Sequence, residues 1–550
     1  MTRPTTLRGL LDAGADHAPA IVASGGSVLT HGELRAEVDR LADRLSSLGL
    51  GPADRIAIVV PNGPEMALAF LAAAGAGCAA PLNPKYRADE LRFYLDDLGA
   101  KALITLPDDS GATARDAARE TAGAVLPVSL VGSVADGTGA LDLAAEPARD
   151  GALDRIAESA PDPAQDLGRP TPDDVGLVLH TSGTTSRPKI VPLRQRHLAR
   201  SAAGIAESLA LTHQDRSLQV MPLFHIHGLL AGLLAPLSAG GAVACTEGFD
   251  AFRFFAQLEA LQPSYYTAVP TMHQMVISRS GRHRDAARAA GLRFVRSSSA
   301  SLPTPVLTEL GELFGAPVIE AYGMTEATHQ MCANPLPPAE AKPRSVGVPT
   351  GIELAILDDR DRQLTPGERG EVSIKGPTVI DGYENNPDAN AAAFTDGWFR
   401  TGDEGYLDGD GYLFLTGRLK EQINRGGEKV SPLEVDEALL GHPAVAQAVT
   451  FAMPHPKLGE EVAAAVVAVD GSVVDERELR RYLSQSLAAF KVPRRILVLD
   501  ELPKGPTGKL QRIGLAERLG LTTSDEPAQR PSEWASESAP YGRGRGPSGP

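Results

Sequence analysis

Residues 175–189 read VGLVLHTSGTTSRPK, an apolar run that passes directly into a loop rich in hydroxyl groups. The apolar run predicts a buried strand. A flexible loop of hydroxyls, one glycine and two cations at a strand end can wrap a polyphosphate, because its N–H and O–H groups donate to phosphate oxygens. The loop is not a Walker A motif, which requires G-x-x-x-x-G-K-[ST]. Taken alone, such a cluster is more often a polar surface loop, so its meaning depends on the rest of the chain.

The size and charge of the chain narrow the protein class. With 550 residues the chain is too long for one hydrophobic core, so two or more domains are expected. The hydrophobic content of 43% and charged content of 22% are ordinary for a globular protein. The net charge of −16 argues against nucleic acid as a partner, because nucleic-acid binding favours a basic surface. A few local cations can still hold an anionic substrate.

Cysteine usage and hydropathy indicate the compartment. Cys78, Cys245 and Cys332 form no C-x-x-C pair, which points to a reducing compartment and to no zinc site. The N-terminus lacks the apolar core of a signal peptide. The longest apolar stretch, residues 66–82, is mostly Ala and Gly and is too short and too weakly hydrophobic to span a bilayer. We therefore expect a cytoplasmic protein without a membrane partner.

Short apolar runs alternate with helical patterns along most of the chain. Residues 55–60 predict a strand, and the turn at residues 61–64 leads into an Ala-rich helix. This alternation is typical of layered α/β folds with parallel sheets. Residues 107–172, rich in Ala, Asp, Gly and Pro, predict mobile loops and a boundary within the large region.

The composition changes again near residues 417–420. Beyond that point charged helices alternate with short strands such as residues 462–469, a pattern that suits a small α+β domain. Residues 522–550 contain few apolar side chains and predict a disordered tail.

Two further clusters combine groups that suit nucleotide chemistry. Residues 322–326, YGMTE, follow a predicted strand at residues 316–319 and place a hydroxyl and a carboxylate where a phosphate and Mg²⁺ can bind. Residues 401–403, TGD, offer a carboxylate held by a turn, which can accept from both ribose hydroxyls. The simpler interpretations are a helix cap at Thr325 and an ordinary turn at Asp403.

Two more clusters lie in the last quarter of the chain. Residues 417–429, GRLKEQINRGGEK, combine a charged lead-in that can act as a hinge with adjacent glycines that let a backbone approach a ligand. Residues 502–510, LPKGPTGKL, carry a lysine on a Pro/Gly loop that can swing into a site and stabilise charge on a phosphoryl group. The simpler interpretations are a β-hairpin turn and a solvated lysine.

In this order and spacing, the five segments resemble the adenylate-forming superfamily of acyl-CoA synthetases, peptide-synthetase adenylation domains and luciferases. The resemblance covers residues 7–518. It implies an α/β fold with a large layered N-terminal domain, residues 1–418, and a small mobile α+β lid, residues 419–521. It also implies two half-reactions: ATP and a carboxylate first form an acyl-adenylate, and after lid rotation the acyl group passes to CoA.

The same resemblance implies roles for individual residues. ATP, Mg²⁺ and CoA are the implied small molecules, with Mg²⁺ at Thr184 and Glu326 and adenylation dependent on Lys509. Lys420 matches the hinge, and the turn Gly426-Gly427 matches the element that faces the site when the thioester forms. The implied ATP-binding residues are Thr181, Ser182, Gly183, Thr184, Thr185, Ser186 and Lys189 in the phosphate loop, Ala300, Ser301, Tyr322 and Gly323 around adenine, Thr325 at the α-phosphate, Asp403 at the ribose, and Arg418 at the ribose and phosphate.

Four segments indicate the acid. Residues 221–230, MPLFHIHGLL, match the motif whose first histidine, His225, lines the acyl pocket and gates the thioester channel. This run resembles oxalate–CoA ligases, as do residues 296–301 (RSSSAS), residues 325–331 (TEATHQM) and the Thr-Ser-Arg of the phosphate loop. A pocket for a fatty or aryl chain needs apolar walls, whereas these segments are polar. The candidate contacts to a second carboxylate are His227, Ser298, Ser299 and His329. In the alternative, these groups bond to one another or to the backbone and point away from substrate.

The chain also departs from the superfamily pattern. Ile190 follows Lys189 where glycine is usual, and Gly505-Pro506 differ from the usual pair before the lysine loop. These differences leave room for other small acids, including nitrite, and for transfer to an amine or a carrier-protein thiol. A non-catalytic nucleotide-binding homologue is a third hypothesis, against which the retained Lys509, Glu326 and Asp403 argue.

Overall fold

The computed structural model describes residues 4–121, 125–134, 141–145, 167–181, 188–469, 471–503 and 510–521. Its strands are, in chain order, β1 (Pro19–Ala23), β2 (Val28–Thr30), β3 (Arg55–Val59), β4 (Cys78–Pro81), β5 (Ala102–Thr105), β6 (Leu126–Val131), β7 (Asp142–Ala145), β8 (Val175–Thr181), β9 (Lys189–Arg194), β10 (Arg216–Gln219), β11 (Ala242–Cys245), β12 (Tyr265–Ala268), β13 (Phe294–Ser298), β14 (Val318–Met324), β15 (His329–Ala333), β16 (Val348–Pro349), β17 (Glu353–Leu357), β18 (Gly370–Lys375), β19 (Phe394–Thr395), β20 (Trp398–Leu407), β21 (Leu413–Arg418), β22 (Ile423–Arg425), β23 (Glu428–Val430), β24 (Val445–His455), β25 (Gly459–Ala468) and β26 (Arg495–Val498).

The helices connect these strands. They are α1 (Leu7–Leu10), α2 (His31–Ser47), α3 (Pro64–Ala76), α4 (Ala88–Leu98), α5 (Asp109–Glu120), α6 (Gln195–Ser208), α7 (Ala235–Ser238), α8 (Phe254–Leu261), α9 (Pro270–Arg279), α10 (Arg284–Ala289), α11 (Thr304–Phe314), α12 (Pro387–Ala393), α13 (Pro432–Leu440), α14 (Glu476–Leu483) and α15 (Leu515–Arg518). A π-helix spans Gly228–Leu234, and 3₁₀ turns span Leu11–Ala13, Thr325–Ala327 and Leu419–Glu421.

The strands form four sheets. A nine-stranded sheet has the order β16-β15-β14-β13-β12-β10-β11-β1-β2, and its strands from β14 to β1 run parallel. A seven-stranded sheet has the order β7-β6-β5-β3-β4-β8-β9 and is parallel from β6 to β8. A five-stranded sheet of β17 to β21 completes the large N-terminal domain. The last sheet, β22 to β26, belongs to a small C-terminal domain, so the predicted layered α/β fold with a smaller second domain is confirmed.

Helix α3 shows why the sequence forms these layers. Proline occupies its first position, where a missing N–H is tolerated, and all of its residues except Glu65 and Gly75 are buried. The helix contacts β1 of one large sheet and β3, β4 and β8 of the other. An apolar surface all round is therefore what its position between two sheets requires. In the described part of the chain, every helix is too short or too polar to traverse a lipid bilayer.

Residues 107–172 correct one expectation. Mobile loops were predicted there, but the structure contains helix α5 and strands β6 and β7 within this range. The buried face of α5 consists of small side chains, Ala114, Ala117 and Ala118, which pack in one cluster with the leucines of α4. Alanines give a weak hydrophobic period, so the helix was not recognised. Residues 122–124, 135–140 and 146–166 lie outside the described residues.

Most of the predicted strands are confirmed. Residues 55–59 and 175–181 form β3 and β8, and residues 462–468 lie inside β25. The strand expected at residues 316–319 begins at Val318 and continues through Met324, so the first three residues of the YGMTE motif are themselves in a strand. The predicted disordered tail, residues 522–550, lies outside the described residues.

Strands β14 and β15 approach each other closely at Gly323. A Cβ atom on Gly323 would lie 1.8 Å from the backbone oxygen of His329. We predict that Gly323→Ala costs about 1–3 kcal/mol of unfolding free energy, because backbone atoms must shift to admit the methyl group. Gly311→Ala in α11 is the matched control, since its Cβ would meet only ordinary contacts at 3.7 Å and 3.9 Å. Urea unfolding measures both, and equal midpoints for the two variants would refute the packing argument.

Candidate active site

The site forms where parallel strands of the nine-stranded sheet end together. β13 and β14 run parallel and are adjacent, so residues 299–301 and 325–326 emerge at the same edge. In open α/β sheets this carboxyl edge is where ligands bind. The segment 225–227 lies between β10, in the same sheet, and the π-helix at Gly228–Leu234. The chain order thereby brings three of the predicted motifs to one place.

The predicted phosphate loop connects two paired strands. Thr181 at the end of β8 is the antiparallel partner of Lys189 at the start of β9. The loop between them therefore begins and ends at one sheet edge. Five of its predicted phosphate-binding residues, Ser182, Gly183, Thr184, Thr185 and Ser186, lie outside the described residues, as does Lys509.

Asp403 is the centre of the predicted ribose site. The Tyr322 hydroxyl donates to Asp403 Oδ2, and Arg418 Nε lies 2.8 Å from Asp403 Oδ1. Burial raises the pKa of Tyr322, and the neighbouring Asp403 raises it further. The attraction of Asp403 raises the pKa of Arg418. One carboxylate thus holds the predicted adenine-stacking ring and the predicted ribose and phosphate cation together.

The local backbone at Asp403 differs from the expectation. Residues 401–403 were predicted as a turn, but they lie inside strand β20. The pairing with β18 shifts here, because Arg400 faces Ser373 whereas Glu404 faces Glu371. Gly402, with a φ of +74°, supplies the left-handed residue of this bulge. The bulge leaves Asp403 paired with Arg418 on β21.

Glu326 is the predicted Mg²⁺ ligand. It is buried, and the Tyr383 hydroxyl donates to its Oε1 atom at 2.9 Å. Lys189 Nζ lies 4.2 Å from the centre of the Tyr383 ring. Burial lowers the pKa of Lys189, with Glu326 opposing and Lys420 adding to the effect. The predicted loop cation, metal ligand and hinge residue therefore interact electrostatically.

The donor set at Glu326 fits Mg²⁺ chemistry. No group of three or more His, Cys, Asp or Glu side chains arranged to hold a metal ion occurs in the described segments. Mg²⁺ in nucleotide sites is held by one or two carboxylates plus substrate phosphates, so the single buried carboxylate of Glu326 is sufficient for the predicted role. When bound, the ion would neutralise phosphate charge.

The predicted acid pocket contains a buried polar cluster. The rings of His227 and His329 stack with centroids 4.9 Å apart. His227 Nδ1 lies 3.1 Å from Ser299 Oγ, and His227 Nε2 lies 2.6 Å from Thr267 Oγ1. His225 is half-buried and its Nδ1 atom accepts from the His227 N–H at 3.3 Å, whereas His227 and His329 are buried. The predicted acid-binding residues His227, Ser299 and His329 therefore lie together in a polar cluster, and their contact with an acid stays a prediction.

The Ser298 side chain bonds to the backbone, as the alternative interpretation predicted. It is buried, and its hydroxyl donates to the backbone oxygen of Ala321 at 2.9 Å. The side chain therefore bonds to the neighbouring strand, and the prediction that it contacts the substrate does not fit this arrangement. Ser299, the next residue, is half-buried and is the serine that reaches the histidine cluster.

Backbone strain concentrates at the same place. Ser299, Thr328 and His329 have φ values of +76°, +53° and +90°. Non-glycine residues adopt this left-handed region rarely, and strained residues tend to cluster at functional sites.

The hinge region is bracketed by ion pairs. Arg418 is tied to Asp403, while Glu421 lies 3.3 Å from Arg512, which also pairs with the buried Asp436 at 2.7 Å. The exposed residues 419–420 lie between these two attachments. Gly426 and Gly427, with φ of +61° and +98°, form the turn between β22 and β23. This is the two-residue hairpin that the simpler interpretation predicted.

Comparison with known proteins identifies the family. Residues 12–384 match the model of the AMP-binding enzymes, and residues 434–509 match the AMP-binding enzyme C-terminal domain. The chain belongs to the adenylate-forming AMP-binding enzymes. The family resemblance expected from the sequence is therefore confirmed.

Several relatives align along nearly their whole length. The oxalate–CoA ligase of Arabidopsis thaliana is 46% identical, covering 94% of this chain and 98% of that protein. The oxalate–CoA ligase of Saccharomyces cerevisiae is 41% identical, covering 86% and 88%. The sulfoacetate–CoA ligase of Cupriavidus necator is 36% identical, covering 89% and 92%. Among solved structures, ATP-bound MatB from Rhodopseudomonas palustris is 28% identical with a TM-score of 0.80, covering 94% and 99%.

Sequence reasoning missed one residue at the centre of this AMP-binding enzyme. Arg296 was quoted within a motif but was not proposed as a site residue, yet it is fully buried and contacts both stacked histidines. Burial lowers its pKa to about 10, so it remains a cation at neutral pH. An arginine directly after the apolar pair Phe294-Val295 was the available signal, because arginine is seldom fully buried without a partner. Gln330 was likewise quoted within a motif, residues 325–331, but not proposed as a site residue, and Tyr383 was missed because no motif marked it.

A buried carboxyl group underlies the predicted adenine wall. Glu320 Oε1 accepts from the Leu302 N–H at 3.0 Å, and burial raises the pKa of Glu320 to about 7. Since the folded state binds this proton more tightly than the unfolded state, the contribution of Glu320 to stability falls as pH rises from about 4.5 to about 7. We predict that the unfolding free energy of Glu320→Gln, relative to that of wild type, increases by up to about 3 kcal/mol between pH 5 and pH 8.

Thermal unfolding across this pH range measures the effect. The exposed Glu312→Gln is the matched control and should follow wild type at every pH. A Glu320→Gln curve parallel to that of wild type would contradict the assignment.

Proposed function

We propose that this chain is an AMP-forming acid–CoA ligase whose acid is oxalate. ATP and the acid would form an acyl-adenylate and pyrophosphate, and the acyl group would then pass to CoA. The family match and the near full-length similarity to two oxalate–CoA ligases support the reaction class. The alternative, adenylation of nitrite followed by transfer to an amine, has no support from these relatives.

One observation carries the choice of acid. The predicted pocket is backed by a buried arginine and two stacked imidazoles, and no Asp or Glu among the described residues forms a salt bridge with Arg296. A fatty or aryl chain would have to bury apolar carbon against these polar groups, which is unfavourable. A second carboxylate would instead supply the missing negative charge.

The nucleotide side supports adenylation. Attack of a carboxylate on the α-phosphate brings two anions together, so alignment and charge neutralisation supply most of the rate. We assign Thr184, Glu326 and Lys509 to this neutralisation, with Asp403 and Arg418 holding the ribose. The interaction between Lys189 and Glu326 supports a phosphate site at this edge.

We also propose the domain boundary at residues 418/419 with Lys420 as the hinge. The ion pairs of Arg418 and Glu421 support it, because they attach the chain to one domain before residue 419 and to the other after residue 420. The three cysteines are buried and free, which supports a cytoplasmic location.

An acid panel tests the proposal. We expect pyrophosphate release with oxalate and, when CoA is present, an oxalyl thioester. Malonate, with one more methylene, should show a kcat/KM about 10- to 200-fold lower. Turnover of nitrite with an arylamine and no oxalyl thioester would overturn the proposal, and ATP binding without pyrophosphate release from any acid would show a non-catalytic homologue.

The lysine loop gives a second prediction. Lys509→Ala should reduce adenylation by about 10²- to 10³-fold, because a charge aimed at the transition state is lost. Thioester formation from supplied oxalyl-adenylate should change far less, since it uses the other lid orientation. Lys457→Ala, at an exposed lid position, is the control. Equal losses in the two half-reactions would contradict lid rotation.

A further inference from the structure

Arg296 is surrounded by neutral acceptors. Its Nη1 atom lies 3.1 Å from Thr267 Oγ1 and 3.2 Å from His227 Nε2. Its Nη2 atom lies 3.3 Å from His329 Nε2 and 2.9 Å from Gln330 Oε1. The guanidinium is fully buried, and its Nε atom has no hydrogen-bond partner among the described residues. The cation is thus held in place by groups that do not cancel its charge.

This contact set fixes where the histidine protons lie. A guanidinium can only donate hydrogen bonds, so the Nε2 atoms that face it must accept. His227 and His329 are therefore the neutral tautomers that carry their proton on Nδ1. The orientation of the Gln330 amide is also fixed, because its nitrogen donates to Ser208 Oγ at 2.8 Å while its oxygen accepts from Arg296.

The donor-to-acceptor direction that begins at Arg296 continues through His227 toward the predicted acid pocket. With its proton on Nδ1, His227 donates to Ser299 Oγ at 3.1 Å. The Ser299 oxygen is thereby used as an acceptor, and its own O–H has no acceptor within the described segments. Ser299 is half-buried at the end of β13, next to the predicted adenine wall, so this hydrogen is placed where an acid would lie beside ATP.

We propose that Arg296 is a positioning residue that orients a one-way chain of donors, through His227 to Ser299, and thereby selects an acid with a second anionic group. The chain ends in a donor with a buried positive charge behind it, which matches a group that only accepts, such as a carboxylate. It disfavours an acid whose second group is apolar or is itself a donor, because one N–H or O–H would then be left without an acceptor. The inference rests on the proposed function and specifies how that site recognises its acid.

Kinetics on two single variants and their combination test this chain. Arg296→Met removes the guanidinium at which the chain of donors begins. Ser299→Gly removes the hydroxyl at which it ends, and glycine adopts the left-handed backbone at φ +76° without strain. Each should raise the KM for oxalate about 10- to 100-fold, with kcat and the KM for ATP little changed. Glycolate, which replaces the second carboxylate by a hydroxymethyl group, should lose little in either variant, so the preference for oxalate collapses. For glycolate an inhibition constant replaces KM where turnover is too slow.

The double variant distinguishes a chain from two separate contacts. If Arg296 acts through Ser299, Arg296→Met/Ser299→Gly should lose about as much as the worse single variant, because the two steps are coupled. Arg296→Lys, which retains the charge, should recover part of the oxalate preference. Arg293→Met is the matched control, since this half-exposed neighbour pairs with Asp215 and lies away from the histidines.

Three results would overturn the inference. They are an unchanged oxalate preference in folded Arg296→Met, equal losses for all acids and for ATP, and a multiplicative loss in the double variant. If Arg296→Met does not fold, Arg296→Lys and Ser299→Gly decide the question. If the wild type rejects oxalate, the proposed function fails separately, and the donor chain is refuted when the best acid lacks a second anionic group.

Discussion

The burial of one guanidinium, with no carboxylate paired to it in the described part of the chain, constrains the whole predicted acid site of this enzyme. Removing an ion from water costs several kcal/mol even after relaxation. Among the described residues, the offset at Arg296 comes from Thr267, two imidazoles and Gln330, all of them neutral. The sheet around Arg296 must keep these acceptors in register, because the loss of any one of them leaves a further buried N–H group of the guanidinium without an acceptor. Under the proposed function, an anionic acid would supply the missing charge, so part of the cost of folding this site would be recovered when such an acid binds.

Strain and close packing support the same cluster. Left-handed backbone at Ser299, Thr328 and His329 costs about 1–3 kcal/mol at each residue. The pairing of β14 with β15 maintains it, and Gly323 permits that pairing because it has no side chain to meet the His329 carbonyl. Rigid sheet neighbours thus hold the histidines in an orientation that an unconstrained loop would not adopt.

The sequence predicted the fold where local and global signals agreed, and failed where they conflicted. Strands β3 and β8 were found because their apolar runs are unambiguous. Helix α5 was missed because alanines carry its buried face. Residues 401–403 were misread because Thr, Gly and Asp favour turns, whereas pairing with β18 and β21 holds them in a strand that bulges at Gly402. Arg296 could not be assigned from sequence, because its acceptors come from segments 69 and 33 residues away. Only the sheet order shows that those segments meet and that no acidic residue joins them within the described chain.

The parallel pair β13–β14 brings the predicted acid-selecting and nucleotide-binding groups to one edge of the sheet. Strand β13 carries Arg296 and leads within a few residues to Ser299 and the predicted adenine wall, while β14 carries Tyr322 and leads to Glu326. Each residue of a strand advances about 3.3 Å, so groups three to five residues apart are separated by about 10–17 Å, which is comparable to the length of a small acid joined to a nucleotide. An acid held at the Ser299 end of β13 would therefore have its reacting carboxylate beside the phosphate that Thr325 is predicted to contact. A change that moved β13 relative to β14 would therefore displace the predicted acid groups and the predicted nucleotide groups together.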